Sequence, residues 1–211
     1  MKTIEKTVDF TTLASDADLQ TVVDNLKKNG IDAGIAESGA QAKQTVLSLL
    51  PEGAEVMNMT SITLDAIGVT QEIMESGKYD AVKKKMASMD RKTQAREMRK
   101  LGAAPDFTVG SVHAITLDGK IFIASNTGSQ LAAYVYGAGK VIWVIGAQKV
   151  VKDEQAARER IYNYVLPLES ERANKAYNMT AGSFVSKLLI VNREVQPERI
   201  KVILVKEKLG F

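Results

Sequence analysis

Apolar residues recur along this chain in two alternating rhythms. Leu19, Val22, Val23 and Leu26 fall at helical spacing on one face. Ser15 or Asp16 stands where a cap belongs, and Asn29-Gly30 stops the helix near Lys28. IDAGIAE (31–37) then predicts a short strand, and a second helix runs from about Ala40 to Leu50, ended by Pro51. The strand AEVMNM (54–59) leads through TSITLDAIG into a helix reaching Met74 and closed by Gly77. Residues 78–101 predict one long helix. DFTVG (106–110) and KIFIAS (120–125) are strands, the second preceded by SVHAIT and the tight turn Leu117-Asp118-Gly119. KVIWVIGA (140–147) is a continuous apolar run, as expected of a strand buried on both faces. A helix follows from about Asp153, and Pro167 breaks or restarts it. LLIVNRE and RIKVILVKE are the last strands, either finishing the sheet or forming a subunit edge in a homo-oligomer.

Strands alternating with helices predict an α/β fold with a mostly parallel sheet. There is no internal repeat, low-complexity tract or long linker, so residues 1–211 read as a single domain, with 78–101 as a candidate insertion. That segment holds nine basic residues against three acidic ones, a local charge of +6. Since the whole chain carries +3, the remainder carries −3. A basic helix invites a nucleic-acid reading, but residues 82–100 lack interleaved aromatics and contain acidic residues, so a solvated face is the better one. No run of about 18 apolar residues exists, and the first residues lack an apolar leader region. The expected setting is the cytoplasm, without a membrane.

The 211 residues contain no cysteine and one histidine. Disulfides, cysteine-held zinc or iron–sulfur clusters and a cysteine nucleophile are thereby excluded, and sites needing several imidazoles with them. No metal or other cofactor is expected.

Two loops carry dense hydrogen-bonding potential. Thr60, Ser61 and Thr63 follow a strand and open a helix, where unpaired N–H groups and neighbouring hydroxyls suit a phosphate or carboxylate. Read plainly, they are caps. Ser125, Asn126, Thr127, Gly128, Ser129 and Gln130 again lie between a strand and a helix, with Gly128 allowing close backbone approach. Read plainly, they form a long capped turn. If their strands are neighbours, both loops meet at the carboxyl rim where open α/β sheets bind ligands. Lys149 would sit on the same rim, as an anion partner or as a solvated lysine. Glu169 and Arg172 are spaced for a same-face pair, and Arg193 is a weaker anion candidate. His113 has the one side chain whose unperturbed pKa lies near neutrality. With Asp118 it is a candidate general base; its bland reading is structural.

GAEVMNMTSITLDAIG, DFTVGSVHAITLDGKIFIAS and GKVIWVIGAQKVV stand in the order and at the spacing of the lactate-utilisation (LUD) domain family, and the chain resembles that family over roughly 39–160. Ser61-Ile62-Thr63 with Gly68 resembles its strand, S-x-T and glycine. The resemblance implies a three-layer α/β/α Rossmann-like fold of the NagB/RpiA/CoA-transferase-like superfamily. With the hydroxyl-rich rim loops, this reads as a family member that binds a small anionic metabolite, and the resemblance implies an accessory role in lactate utilisation beside partner proteins. The superfamily includes enzymes acting on phosphorylated sugars and CoA thioesters, so an isomerase, transferase or hydrolase is the alternative. The glutamate of the family's A-I-A-E-[ST]-G block aligns with Leu117, leaving Asp118 as the neighbouring carboxylate.

Overall fold

The computed structural model describes residues 9–177 and 182–211. Residues 1–8, on which the reading of no leader rests, lie outside the described residues. In chain order the strands are β1 (Asp32–Ala36), β2 (Glu55–Asn58), β3 (Asp80–Ala81), β4 (Phe107–Gly110), β5 (Ala114–Thr116), β6 (Ile121–Ser125), β7 (Lys140–Gly146), β8 (Val150–Val151), β9 (Lys187–Val191) and β10 (Ile200–Val205). The α-helices are α1 (Asp16–Lys28), α2 (Gly39–Ser48), α3 (Ile62–Ala66), α4 (Val69–Glu75), α5 (Val82–Ala87), α6 (Ala95–Ala103), α7 (Glu154–Arg160) and α8 (Leu166–Tyr177).

Six strands form a parallel sheet in the order β1-β10-β7-β4-β2-β3. The continuous apolar run of β7 has the reason anticipated: both faces are covered. Val141, Trp143 and Ile145 pack with α1, whereas Ile142 and Val144 pack with α2, α3 and α4. Strand β10 alternates likewise, Val202 and Leu204 to one side and Ile203 and Val205 to the other. The domain is a three-layer α/β/α Rossmann-like fold. No described helix is long and apolar enough to cross a membrane.

The last strands part company. β10 lies inside the large sheet between β1 and β7, so it completes the sheet. β9 is the outer strand of a second sheet, β8-β5-β6-β9, in which β6 runs antiparallel to both neighbours. This smaller sheet packs Ile115, Ile121 and Ile123 toward the α1 side of the large one and Ala114 and Phe122 toward α7. The tight turn before β6 is present, with Gly119 at φ +82 as the Asp-Gly pair demands.

The long basic helix expected over 78–101 is broken. It holds β3 and two short helices, separated at 88–94. Ser88 Oγ donates to the Lys85 carbonyl at 2.8 Å. The Asp90 carboxylate accepts from Lys92 N and Thr93 Oγ1 at 2.9 Å each. Such local side-chain bonds give the backbone an alternative to the helix, and the +6 charge is not presented on one continuous face. The helix expected up to Met74 is likewise split into α3 and α4 at Gly68, whose φ is +69. Pro167, by contrast, does not interrupt the helical run: a widened π-type turn at Ile161–Val165 precedes it and joins α7 to α8.

Candidate functional site

The segments after β2, β4, β6 and β7 surround a cavity of about 560 Å³, the volume of a small-metabolite site. Thr60, Ser61, Thr63, Ser125, Asn126, Thr127, Ser129, Gln130, Lys149, Glu169, Arg172 and His113 all line it. The convergence has a different geometry from the one expected. β2 and β6 are not neighbours but belong to different sheets. Their loops meet because the small sheet is folded over the face of the large one.

Lys149 dominates the electrostatics. It sits in a 3₁₀ turn directly after β7 and is 2% exposed, so it is not the solvated lysine of the plain reading. Its Nζ donates to Thr63 Oγ1 at 3.0 Å and to Ser111 Oγ at 3.1 Å. Thr63 in turn donates to the Leu209 carbonyl at 3.1 Å. Gln148 binds the Leu209 carbonyl at 3.0 Å and accepts from Leu209 N at 3.3 Å, tying the 209–211 segment to this wall. No carboxylate among the described residues pairs with Lys149. Burial, and then the nearby Arg160 charge, push its pKa down to about 7.

His113, the candidate base, stands on the cavity wall with one ring nitrogen already engaged. Its Nδ1 accepts the backbone N–H of Ala124 at 3.1 Å. Burial, then Lys149 and Arg160, lower its pKa to about 3. A neutral ring with Nδ1 so occupied carries its proton on Nε2 and can donate to a ligand but not take a proton there. Arg160, fully buried, donates to the His113 carbonyl and stacks 5.2 Å from the Tyr164 ring centroid.

Asp118 is not brought to the cavity. It is an exposed residue of the β5–β6 turn, bonded to Thr116 Oγ1 and paired with Lys120 at 3.1 Å. Gly128 does not line the cavity either. Its φ of +86 shapes the loop, and the Lys187 side chain lies where a Cβ would point. Much of the loop's polarity is spent internally: Ser125 Oγ donates to Gln130 Oε1 at 2.9 Å and accepts from Gly128 N at 2.8 Å, and Thr127 bonds Ser129 at 3.1 Å. Ser61 caps α3 through Leu64 N at 3.3 Å. That helix has five residues, too few for the expected dipole to gather an anion. Glu169 and Arg172 form the anticipated i,i+3 pair, with two contacts of 2.7 Å, on the cavity wall. Arg193 lies away from it, on an exposed stretch.

Among the lining residues that the sequence reading missed, Ser111, Lys83 and Tyr134 carry the most chemistry. Ser111 follows β4 on the same rim, so strand-end logic could have found it. Lys83, hidden among nine basic residues, opens α5 and reaches Thr60 Oγ1 at 3.2 Å; burial lowers its pKa. Tyr134 stacks edge-on against Trp143, centroids 5.2 Å apart. Its hydroxyl occupies the space of an absent side chain at Gly110, where a Cβ would lie 1.8 Å away. No signal of spacing marks it. Among the described residues the wall therefore carries the basic side chains of Lys83, Lys149 and Arg172 against one acidic side chain, Glu169. Met59, Val112, Ile123, Val165 and Phe184 supply an apolar counterpart.

A search of curated proteins finds no match. Among solved structures, the crystal structure of a DUF162 family protein from Deinococcus radiodurans is similar with a TM-score of 0.56 at 14% identity, covering 92% of this chain and 99% of that one. That likeness shows the fold. The model of the LUD domain matches residues 19–205, spanning both sheets and every element from α1 to β10, and the chain belongs to the LUD-domain family.

Proposed function

We propose that this LUD-domain protein binds a small anionic metabolite, a carboxylate or phosphate with a short apolar part, in the cavity over the carboxyl ends of β2, β4 and β7. The observation that carries the reading is Lys149: a buried amine with no carboxylate partner among the described residues, on the wall of a cavity otherwise rich in hydroxyls. A buried charge without a counter-ion is costly, and an anionic ligand supplies the missing one. Lys83 and Arg172 extend the positive field, His113 offers a neutral donor, and the apolar wall fits the remainder. An accessory role in lactate utilisation, beside partner proteins in the cytoplasm, is consistent with this ligand class. The alternative, an enzyme on phosphorylated sugars or CoA thioesters using His113 or Asp118 as base, has less support, because Asp118 faces away and His113 Nδ1 is occupied.

The test is a thermal-shift panel of lactate, pyruvate, inorganic phosphate, sugar phosphates and CoA esters at pH 6.5. A ligand at 100 times its Kd adds about 2.7 kcal/mol to stability. The expected result is a shift for one class of anion that Lys149→Met abolishes. Shifts that survive Lys149→Met, or none across the panel, would sink the reading.

A further inference from the structure

We propose that Lys149 is an imine-forming lysine, whose ε-amine condenses with the carbonyl carbon of a small aldehyde or ketone bearing a carboxylate. The proposal rests on the anion-binding reading above and assigns its site a substrate class and a covalent step.

The geometry at Nζ carries the argument. A neutral amine has two N–H bonds and one lone pair, tetrahedrally arranged with its own carbon. Two partners are in place, Thr63 Oγ1 at 3.0 Å and Ser111 Oγ at 3.1 Å. Thr63 is held as an acceptor, since its own proton goes to the Leu209 carbonyl. With both N–H bonds so directed, the lone pair takes the remaining tetrahedral position, and Lys149 lines the cavity. Lys149 has a desolvated setting beside a second cation, Arg160, the environment that turns an amine into a nucleophile. The groups that bear on its charge are Arg160 on α7 and His113 before β5, the latter neutral. At pH 7 roughly half of such an amine is unprotonated, about 1,000-fold more than for an ordinary lysine.

In the step, the Nζ lone pair attacks the carbonyl carbon. A carbon–nitrogen bond forms, the carbon–oxygen bond breaks, and both amine hydrogens leave with the oxygen as water. Ser111 Oγ, already bonded to Nζ, is placed to relay a proton to the departing oxygen. His113 Nε2–H is a further donor on the same wall, and Lys83 or Arg172 holds the substrate carboxylate.

The test uses the full chain with glyoxylate and sodium borohydride, which delivers hydride to the imine carbon while solvent protonates nitrogen, leaving a stable secondary amine. Intact mass and peptide mapping locate the adduct. In parallel, glyoxylate and its non-carbonyl counterpart glycolate are compared for protection against thermal unfolding. The expected result is one adduct on Lys149, forming with a pH midpoint near 7, absent in Lys149→Met and slowed at least about tenfold in Ser111→Ala. Protection by both acids with no adduct on Lys149, or adducts scattered over exposed lysines at a high-pH midpoint, would overturn the imine step and leave anion binding standing. Neither protection nor adduct would likewise overturn the imine step, and the wider anion panel then decides anion binding on its own.

Discussion

Replacing Lys149 by methionine should stabilise the protein at neutral pH and lose that advantage as the pH rises. An ordinary lysine titrates near 10.4, whereas the folded protein holds Lys149 near 7. Between these values the unfolded chain binds a proton that the folded chain does not. Folding therefore opposes the buried amine most at and below pH 7, and the penalty fades as the pH approaches 10. Linkage over the two values gives about 4 kcal/mol at pH 7 and about 2 kcal/mol at pH 9. Methionine removes that penalty, fills similar space, and forfeits the bonds to Thr63 and Ser111, each worth about 1 kcal/mol at any pH. The net gain at neutrality is thus about 2 kcal/mol, and at pH 9 it is near zero. The firmer quantity is the change between the two pH values, about 2 kcal/mol, because the lost hydrogen bonds cancel in it. Urea unfolding of both proteins at pH 7 and pH 9 reads this as a relative shift of the midpoint of about 1 M. Equal midpoint differences at the two pH values would refute the depressed lysine, and with it the account of the cavity's electrostatics.

Other consequences are equally direct. Gly110→Ala places a Cβ 1.8 Å from Tyr134 Oη and should cost about 2–3 kcal/mol by displacing that ring from Trp143, seen as a lower melting temperature and altered near-UV circular dichroism. Arg199 is 4% exposed, pairs with Glu194 at 2.8 Å and donates to the Ala133, Tyr134 and Ala138 carbonyls, so Arg199→Met should lose about 3–5 kcal/mol in urea unfolding; a loss under 1 kcal/mol would contradict the role. Asp118→Asn, on the exposed turn, should leave ligand-induced thermal shifts unchanged and alter stability by less than about 1 kcal/mol.

Local chemistry marked most of the strands correctly, because each carries an apolar run that no solvated segment tolerates. The break in 78–101 was not legible from apolar periodicity. It depends on Ser88 and Asp90 taking up backbone partners, a competition that charge and propensity averaged over the segment conceal. At the site, the hydroxyl loops and the Glu169–Arg172 pair were visible as unusual local densities of polar groups. Their meaning shifted with structure, since Ser125, Gln130, Thr127 and Ser129 largely bond one another. Lys149 was marked by its position after a strand, but its importance depends on burial. Its partners in that buried setting, Thr63 and Ser111, are each distant in sequence from Lys149.

The amino-acid order by itself determined the α/β alternation, the doubly buried β7, the absence of cysteine chemistry and the rim segments from which a site could be built. All of these follow from the residue types themselves and from the 2.0 and 3.6 periodicities of strand and helix. Only the tertiary structure decided that β6 and its loop belong to a second sheet, that this sheet closes a cavity over the first, and that Asp118 is left outside. It also decided that Lys149 loses its water without gaining a carboxylate among the described residues. Desolvation and partner choice are properties of what surrounds a side chain, and those surroundings are assembled from segments that chain order does not bring together.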